Sequence, residues 1–176
     1  MLQQISFWCT NDPDPVPAPS SRVAGAIKQT KPFQGPEHEV FIAIQRAASE
    51  LTQDVAELLK PAGLTGAQYN VLRILRGAGT QGLACGEVGD RLVARDPDMT
   101  RLLDRMEQRG LVSRTRQEDD RRVVIARITR KGQGLLGQLD ARVHDLHRKQ
   151  LSHLGAAKLA QLLQLLDAAV KRPAAG

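Results

Sequence analysis

One pair of β-rich runs interrupts a chain of 176 residues whose other patterned segments are helical. The runs 111–116 and 123–128 are short, contain Val, Ile and Thr, and are joined by the polar segment 117–122, which predicts a β-hairpin with a charged tip. Apolar residues recur at three- and four-residue spacing on both sides of this hairpin. The sequence therefore predicts a mainly α (α+β) fold with one hairpin.

Two helices are predicted at the start of the patterned region. Segment 37–60 is a long amphipathic helix that Pro61 and Gly63 bring to an end. Thr65, followed three residues later by Gln68, has the pattern of a capping box that opens the second helix.

Two further helices lead into the hairpin. The first is short, over 84–92. The second is capped by Asp96, has Pro97 in its first turn and ends at Gly110, a residue suited to the position after a helix. The order of helix, short helix, helix and basic hairpin predicts a winged helix-turn-helix.

The helices after the hairpin carry a surplus of apolar residues. Thr129 caps a long helix to about Leu151, Gly155 breaks it, and the last helix, 156–171, is apolar on much of its circumference. Such a helix must be buried, and a chain this small offers little to cover it. We expect the terminal helices to self-associate, with an intramolecular bundle as the alternative.

The helix before the hairpin has the face that a DNA major groove requires. A major groove admits one α-helix, whose polar side chains meet the base edges there. The hairpin tip adds Arg121 and Arg122, which can reach an adjacent minor groove. The polar residues of the helix fall at three- and four-residue spacing: Thr100, Arg101, Asp104, Arg105 and Gln108.

The distribution of positive charge also favours DNA binding by this helix and hairpin. The net charge is +6, and residues 101–132 alone hold ten basic and five acidic residues, nine of the ten being Arg. Arg offers a planar fork that fits phosphates and guanine edges. A solvated, salt-bridged surface is the alternative. Aromatic residues make up only 3% of the chain, which argues against single-strand binding by base stacking.

The helix and hairpin together resemble the MarR family (multiple-antibiotic-resistance type) of bacterial transcriptional regulators. The family's wing pattern is an Asp, one residue, an Arg, then a strand ending in Leu/Ile-Thr and a Gly three residues later. This chain satisfies it in register with Asp120, Arg122, Ile128, Thr129 and Gly132. Upstream, residues 64–72 match the family's second helix, and the resemblance covers about 37–171.

The resemblance implies a homodimer that binds a pseudo-palindromic operator in double-stranded DNA, with a small-molecule effector or oxidant that weakens binding. Asp120 would orient Arg122 in the minor groove, and Thr100, Arg101 and Arg105 would lie along the major groove. We therefore predict a sequence-specific, ligand-responsive repressor. The alternatives are a winged-helix protein-interaction subunit and a non-specific architectural DNA binder.

The predicted domain organisation follows from these elements. Residues 1–36 contain six of the nine prolines and no apolar periodicity, which is typical of a disordered, Pro-rich tail. The rest of the chain is predicted to be a MarR-type winged-helix domain (37–171) and a short tail (172–176). Within the domain lie the DNA-reading head (64–132) and the dimerisation helices (37–60 and 130–171).

Other chemistry is weakly supported. Asp140, His144 and His147 share a helix face at a spacing that could bind a metal, but a solvated or dimer-facing polar stripe is the preferred interpretation. Cys85, in the first turn of a short helix, is a candidate redox sensor, with an unreactive small residue as the alternative.

The sequence predicts neither an enzyme nor a cofactor. No Ser lies in a nucleophile-elbow context and no Gly-rich phosphate loop follows a strand, so we expect no catalytic residues, no metal site and no cofactor. The two cysteines fit no disulfide framework, no leader pattern opens the chain, and no apolar run is long enough to span a membrane. These features favour the cytoplasm.

Overall fold

The computed structural model of this chain describes residues 22–94, 98–117, 119–120 and 122–171. Most of these residues are helical, and a small antiparallel sheet completes the fold, as predicted. The helices are α1 (Arg22–Ala26), α2 (Pro36–Leu59), α3 (Gly66–Gly77), α4 (Cys85–Asp90), α5 (Met99–Gln108), α6 (Arg130–Leu151) and α7 (Gly155–Val170). The strands are β1 (Leu83–Ala84), β2 (Val112–Arg116) and β3 (Val124–Ile128).

The chain forms two compact units, Met1–Ser49 and Glu50–Gly176, and the boundary between them lies inside α2. The start of the folded domain predicted from the sequence, residue 37, lies in the first turn of the same helix.

The first unit contains regular structure that the sequence did not predict. Helix α1 forms inside the segment expected to be a tail, and the guanidinium of Arg46 donates to the carbonyl oxygen of Ala26 at 3.5 Å. The rings of Phe33 and His38 meet edge to face, with centroids 5.5 Å apart. Residues 1–21 of this tail, and the short tail predicted at 172–176, lie outside the described residues.

In the second unit, helix ends follow the predicted capping residues. The Thr65 hydroxyl accepts the Gln68 backbone N–H at 3.2 Å, and the Gln68 side chain accepts the Thr65 N–H at 3.1 Å, so the capping box is present. The Thr129 hydroxyl likewise accepts the Gly132 N–H at 3.1 Å and opens α6. Both predicted caps are confirmed.

Helix α5 begins later than the sequence predicted. Its cap is Asp98, whose carboxylate accepts the Arg101 N–H at 3.2 Å, and its first residue is Met99. The prediction of Asp96 as the cap is therefore wrong, because the aspartate two residues later supplies the acceptor; Asp96 and Pro97 themselves lie outside the described residues. Gly110, with φ of 68°, ends the helix as predicted.

The three strands pair in the order β1-β3-β2, all antiparallel. The predicted hairpin is confirmed, with Val112 opposite Ile128 and Arg116 opposite Val124. Strand β1, which was not predicted from the sequence, pairs with the other edge of β3 and places Leu83 opposite Ala126.

The head is built around one apolar core that fixes α5 and the hairpin relative to α3 and α6. Its buried members include Leu72, Leu75, Leu103, Met106, Leu111 and Leu136. A Cβ on Gly132 would collide with the carbonyl oxygen of Leu111, so only glycine allows the start of α6 to lie this close to the hairpin. The wing is thereby joined directly to α6.

Helix α7 is largely uncovered. None of its residues is buried, and its side chains of Leu163, Leu165 and Val170 are 64%, 61% and 79% exposed. Along the described part of the chain, no helix combines the length and the hydropathy that a membrane span needs.

Candidate DNA-binding surface

The exposed side of α5 carries the polar residues predicted to meet DNA. Leu102, Leu103 and Met106 are buried in the core, and the helical period therefore turns the opposite side to solvent. On that side, Asp104 is half-buried and the other four residues are exposed: Thr100, Arg101, Arg105 and Gln108.

The two arginines of this face are held along the helix. Arg101 pairs through Nε with the Asp98 carboxylate at 3.2 Å, and its side chain is 81% exposed. Arg105 donates from Nε to the carbonyl oxygen of Arg101 at 3.2 Å. Both guanidinium groups lie in solvent, where they can meet a phosphate or a guanine edge.

The wing tip presents a third exposed arginine. Asp120 accepts the Arg122 backbone N–H at 2.9 Å, and the same oxygen lies 3.9 Å from the Arg122 Nε. The Arg122 side chain is 96% exposed. Asp120 thus fixes the backbone of the tip and lies beside the guanidinium, whereas Arg121 is outside the described residues.

Asp104 has a partner inside the protein, which the prediction of a DNA contact did not include. Arg114 of β2 donates from Nη2 to the Asp104 carboxylate, and from Nε and Nη2 to Glu107 Oε2 at 3.0 and 2.7 Å. The hydrogen bond to Glu107 is the main cause that raises the pKa of Arg114. These three residues connect α5 to the hairpin.

Arg114 is not among the site residues predicted from the sequence, although the alternation of residues along a strand could have identified it. Val112 is buried, and residues two apart on a strand share a face, so Arg114 had to point towards the core side of the sheet. A charge in that position needs a partner on the neighbouring element. Arg116, two residues further on, lies on the same face and is exposed.

Other cations of the 101–132 stretch hold the head together. Arg109 donates to the carbonyl oxygens of Gly63 and Ala62 at 2.6 and 3.1 Å, and Lys131 donates to the carbonyl oxygen of Arg109 at 2.7 Å. Arg127, on the outer face of the sheet, donates to Thr80 O at 3.1 Å and to the Thr115 hydroxyl at 2.7 Å. Part of the arginine excess is therefore structural.

Comparison with known proteins assigns the chain to a family. The model of the MarR family matches residues 64–124. The transcriptional regulator MhqR of Bacillus subtilis is 32% identical over 101 residues, which are 57% of this chain and 68% of MhqR. The chain belongs to the MarR family.

Solved MarR structures agree with this assignment. A MarR transcription factor from Planctomyces limnophilus is 37% identical, with a TM-score of 0.60 over 77% of this chain and 98% of that chain. A mutant of Escherichia coli MarR in complex with operator DNA is 28% identical, with a TM-score of 0.67 over 73% and 91% of the two chains. The MarR resemblance and the winged-helix fold are confirmed, and a regulator rather than an enzyme is the function of this family.

In this MarR-family chain, the candidate metal stripe on α6 is not assembled. Asp140 accepts two hydrogen bonds from the Arg76 guanidinium at 2.5 and 3.0 Å, which lower the pKa of Asp140. Among the described residues, no group of three His, Cys, Asp or Glu side chains is close enough to hold a metal ion. Asp140 instead joins α3 to α6.

Cys85 of this MarR-family chain does not have the environment of a reactive thiol. It is half-buried, and burial is the largest influence on its pKa, which is raised despite the smaller opposing effect of Arg114. Desolvation therefore outweighs any effect of the helix start on this thiol, which favours the unreactive residue over the redox sensor.

We expect Cys85 to react slowly with alkylating reagents. In a Cys9→Ser variant, which leaves Cys85 as the only thiol, iodoacetamide at pH 8 should modify the folded protein at least about fivefold more slowly than the urea-unfolded protein. Mass spectrometry over time measures both rates. Equal rates would show that the fold does not suppress the thiol.

Proposed function

We propose that this chain is a dimeric, sequence-specific regulator that binds double-stranded DNA through α5 and the wing. The observation that carries this proposal is the pairing of two arginine-bearing surfaces in one head. Arg101 and Arg105 lie on the exposed side of a helix of major-groove dimensions, and Arg122 lies at a wing tip held by Asp120.

The two surfaces, on α5 and on the wing, bind different grooves of the duplex. In this proposal the exposed side of α5, with Thr100 and Gln108 beside its two arginines, enters the major groove. Arg122, and Arg121 with it, enters the adjacent minor groove, where narrow A·T-rich tracts concentrate negative potential. Arg116, exposed on the side of the sheet that bears Arg114, is an additional phosphate contact.

Dimerisation through the terminal helices supplies the second reading head. Helix α7 leaves four of its five leucines exposed, and helix α2 leaves Val40, Phe41 and Ile44 between 40% and 56% exposed. Apolar faces of this kind mark sites of association in soluble proteins. A two-fold dimer reads a pseudo-palindrome with half-sites about one helical turn, ~34 Å, apart.

The family also supports the mode of regulation. We propose that binding represses nearby genes, that a small-molecule effector weakens it, and that the protein acts in the cytoplasm. Repression by occupancy needs no chemistry from the bound protein, which suits a chain without a predicted catalytic site.

Selection of bound duplexes from a random library tests the proposed function. We expect an enriched pseudo-palindrome that binds the purified dimer, with an affinity that falls about 10³-fold or more between 50 and 200 mM salt if about six phosphates are contacted. Binding without an enriched sequence would favour an architectural role. No binding to any duplex would contradict the proposal and favour a protein-interaction subunit.

Arg105→Ala tests whether α5 reads bases. If the guanidinium forks onto a guanine, its loss should cost about 1–3 kcal/mol on the selected operator and relax base preference at one symmetric pair of positions. Repeating the library selection with the variant measures this change. A uniform loss across all sequences would make Arg105 a phosphate contact instead.

A further inference from the structure

A polar junction between α5 and the hairpin is built around Arg114. Its guanidinium bridges the Asp104 and Glu107 carboxylates, and its side chain is only 22% exposed. Glu107 also accepts the Arg114 backbone N–H through Oε1 at 2.9 Å. One carboxylate thus holds both the main chain and the side chain of the same strand residue.

The position of this junction in the sheet attaches the wing to α5. Strand β2 is an edge strand, paired only with β3 among the described strands, and Arg114 lies at its centre opposite Ala126. The N–H that Glu107 accepts therefore lies on the unpaired edge of the sheet. Beyond Arg114 the hairpin runs on to Arg116 and the tip.

The junction also changes the charge that α5 presents. Asp104 and Glu107 are two carboxylates on the helix proposed to approach phosphates, and Arg114 contributes a cation directly to both. Hydrogen bonds between ionised partners are the stronger and more directional kind. Without Arg114, two carboxylates would remain unneutralised beside the DNA, and the hairpin edge would lose its attachment.

We propose that Arg114 is a positioning residue that sets the distance between the wing tip and α5, so that both surfaces engage one duplex. It acts through Asp104 and Glu107 and does not touch DNA. This inference rests on the proposed DNA-binding function. It implies that the contribution of Arg122 to binding depends on Arg114, although their side chains share no contact among those the structure describes.

A double-mutant cycle measures that dependence. The affinity of the selected operator is determined by fluorescence anisotropy for the parent, Arg122→Ala, Arg114→Ala and the double variant. We expect Arg122→Ala to weaken binding about tenfold in the parent and less than about threefold in the Arg114→Ala background. The second effect is smaller because a wing that is not fixed to α5 no longer places Arg122 on the DNA. Glu107→Ala, which breaks the same junction from the helix side, should give the same reduced effect.

Arg127→Ala is the matched control. It removes an arginine with two hydrogen bonds from the same hairpin, but on the outer face of the sheet. In that background Arg122→Ala should still cost about tenfold. Hydrogen exchange without DNA provides a separate readout: amides of β2 and β3 should exchange faster in Arg114→Ala than in the parent.

The outcomes separate this inference from the function on which it rests. If the parent binds no duplex, the proposed function fails and the inference with it. If the parent binds and Arg122→Ala costs the same in all backgrounds, only the inference is overturned. A fall in the salt dependence of binding on Arg114→Ala, with an unchanged Arg122 effect, would overturn it as well, since Arg114 would then be a direct phosphate contact.

Discussion

Removal of residues 155–176 is expected to yield a protein that no longer dimerises and no longer binds its operator. Helix α7 contributes no buried residue within its own chain, and Leu163, Leu165 and Val170 remain more than half exposed. Their burial between two chains would stabilise a dimer by about 25 cal/mol for each Å² of apolar surface removed from water. A monomer has one reading head, and a pseudo-palindrome needs two linked ones. Light scattering and anisotropy measure the two losses.

A variant with two substitutions tests whether the truncated chain fails to dimerise merely because it misfolds. Leu163→Glu combined with Leu165→Glu places two charges on the exposed side of α7 without touching the core of the head. We expect monomers by light scattering and helical content close to the parent by circular dichroism. Gln81→Glu, at an exposed position between α3 and β1 and outside the predicted dimerisation helices, adds a charge elsewhere and should remain dimeric. A truncated protein that still dimerises would place the interface outside α7.

Local chemistry determined most of what the sequence could predict. Thr65 and Thr129 mark helix starts because the acceptor and the N–H it satisfies lie within one turn of each other. At the start of α5 two aspartates lie within three residues of each other: Asp96 was predicted as the cap, and Asp98 is the cap in the structure. Sequence patterns do not distinguish between two residues of the same type that lie this close together.

Non-local pairing explains what the sequence could not predict. Strand β1 exists because Leu83 pairs with Ala126, a partner far along the chain, and two residues carry no strand pattern of their own. The same reason applies to the site. The period of α5 identified its exposed arginines, and strand alternation places Arg114 on the core side of β2. The choice of Asp104 as its partner depends on how the helix packs against that strand.

Arg122→Ala is expected to weaken operator binding at least about tenfold while leaving the fold intact. The side chain is 96% exposed, and its Nε lies 3.9 Å from Asp120, so the pair contributes little to stability and the melting temperature should stay within about 2 °C of the parent. Against DNA, the same guanidinium would enter the most negative part of the minor groove. Its loss should reduce the slope of log affinity against log salt by about one unit per wing.

Two comparison variants make the Arg122 result specific. Lys149→Ala removes one positive charge from an exposed position on α6, about 28 Å along the helix from Arg130. Because salt screens a surface charge at this distance, the variant should change the affinity less than twofold, ~0–0.5 kcal/mol. Asp120→Ala removes the acceptor that fixes the Arg122 N–H but keeps the guanidinium, so it should weaken binding less than Arg122→Ala and leave the salt slope closer to the parent. Anisotropy at two salt concentrations, with melting curves, measures all three. If Arg122→Ala binds as tightly as the parent, the wing does not enter the minor groove, and α5 alone must account for recognition.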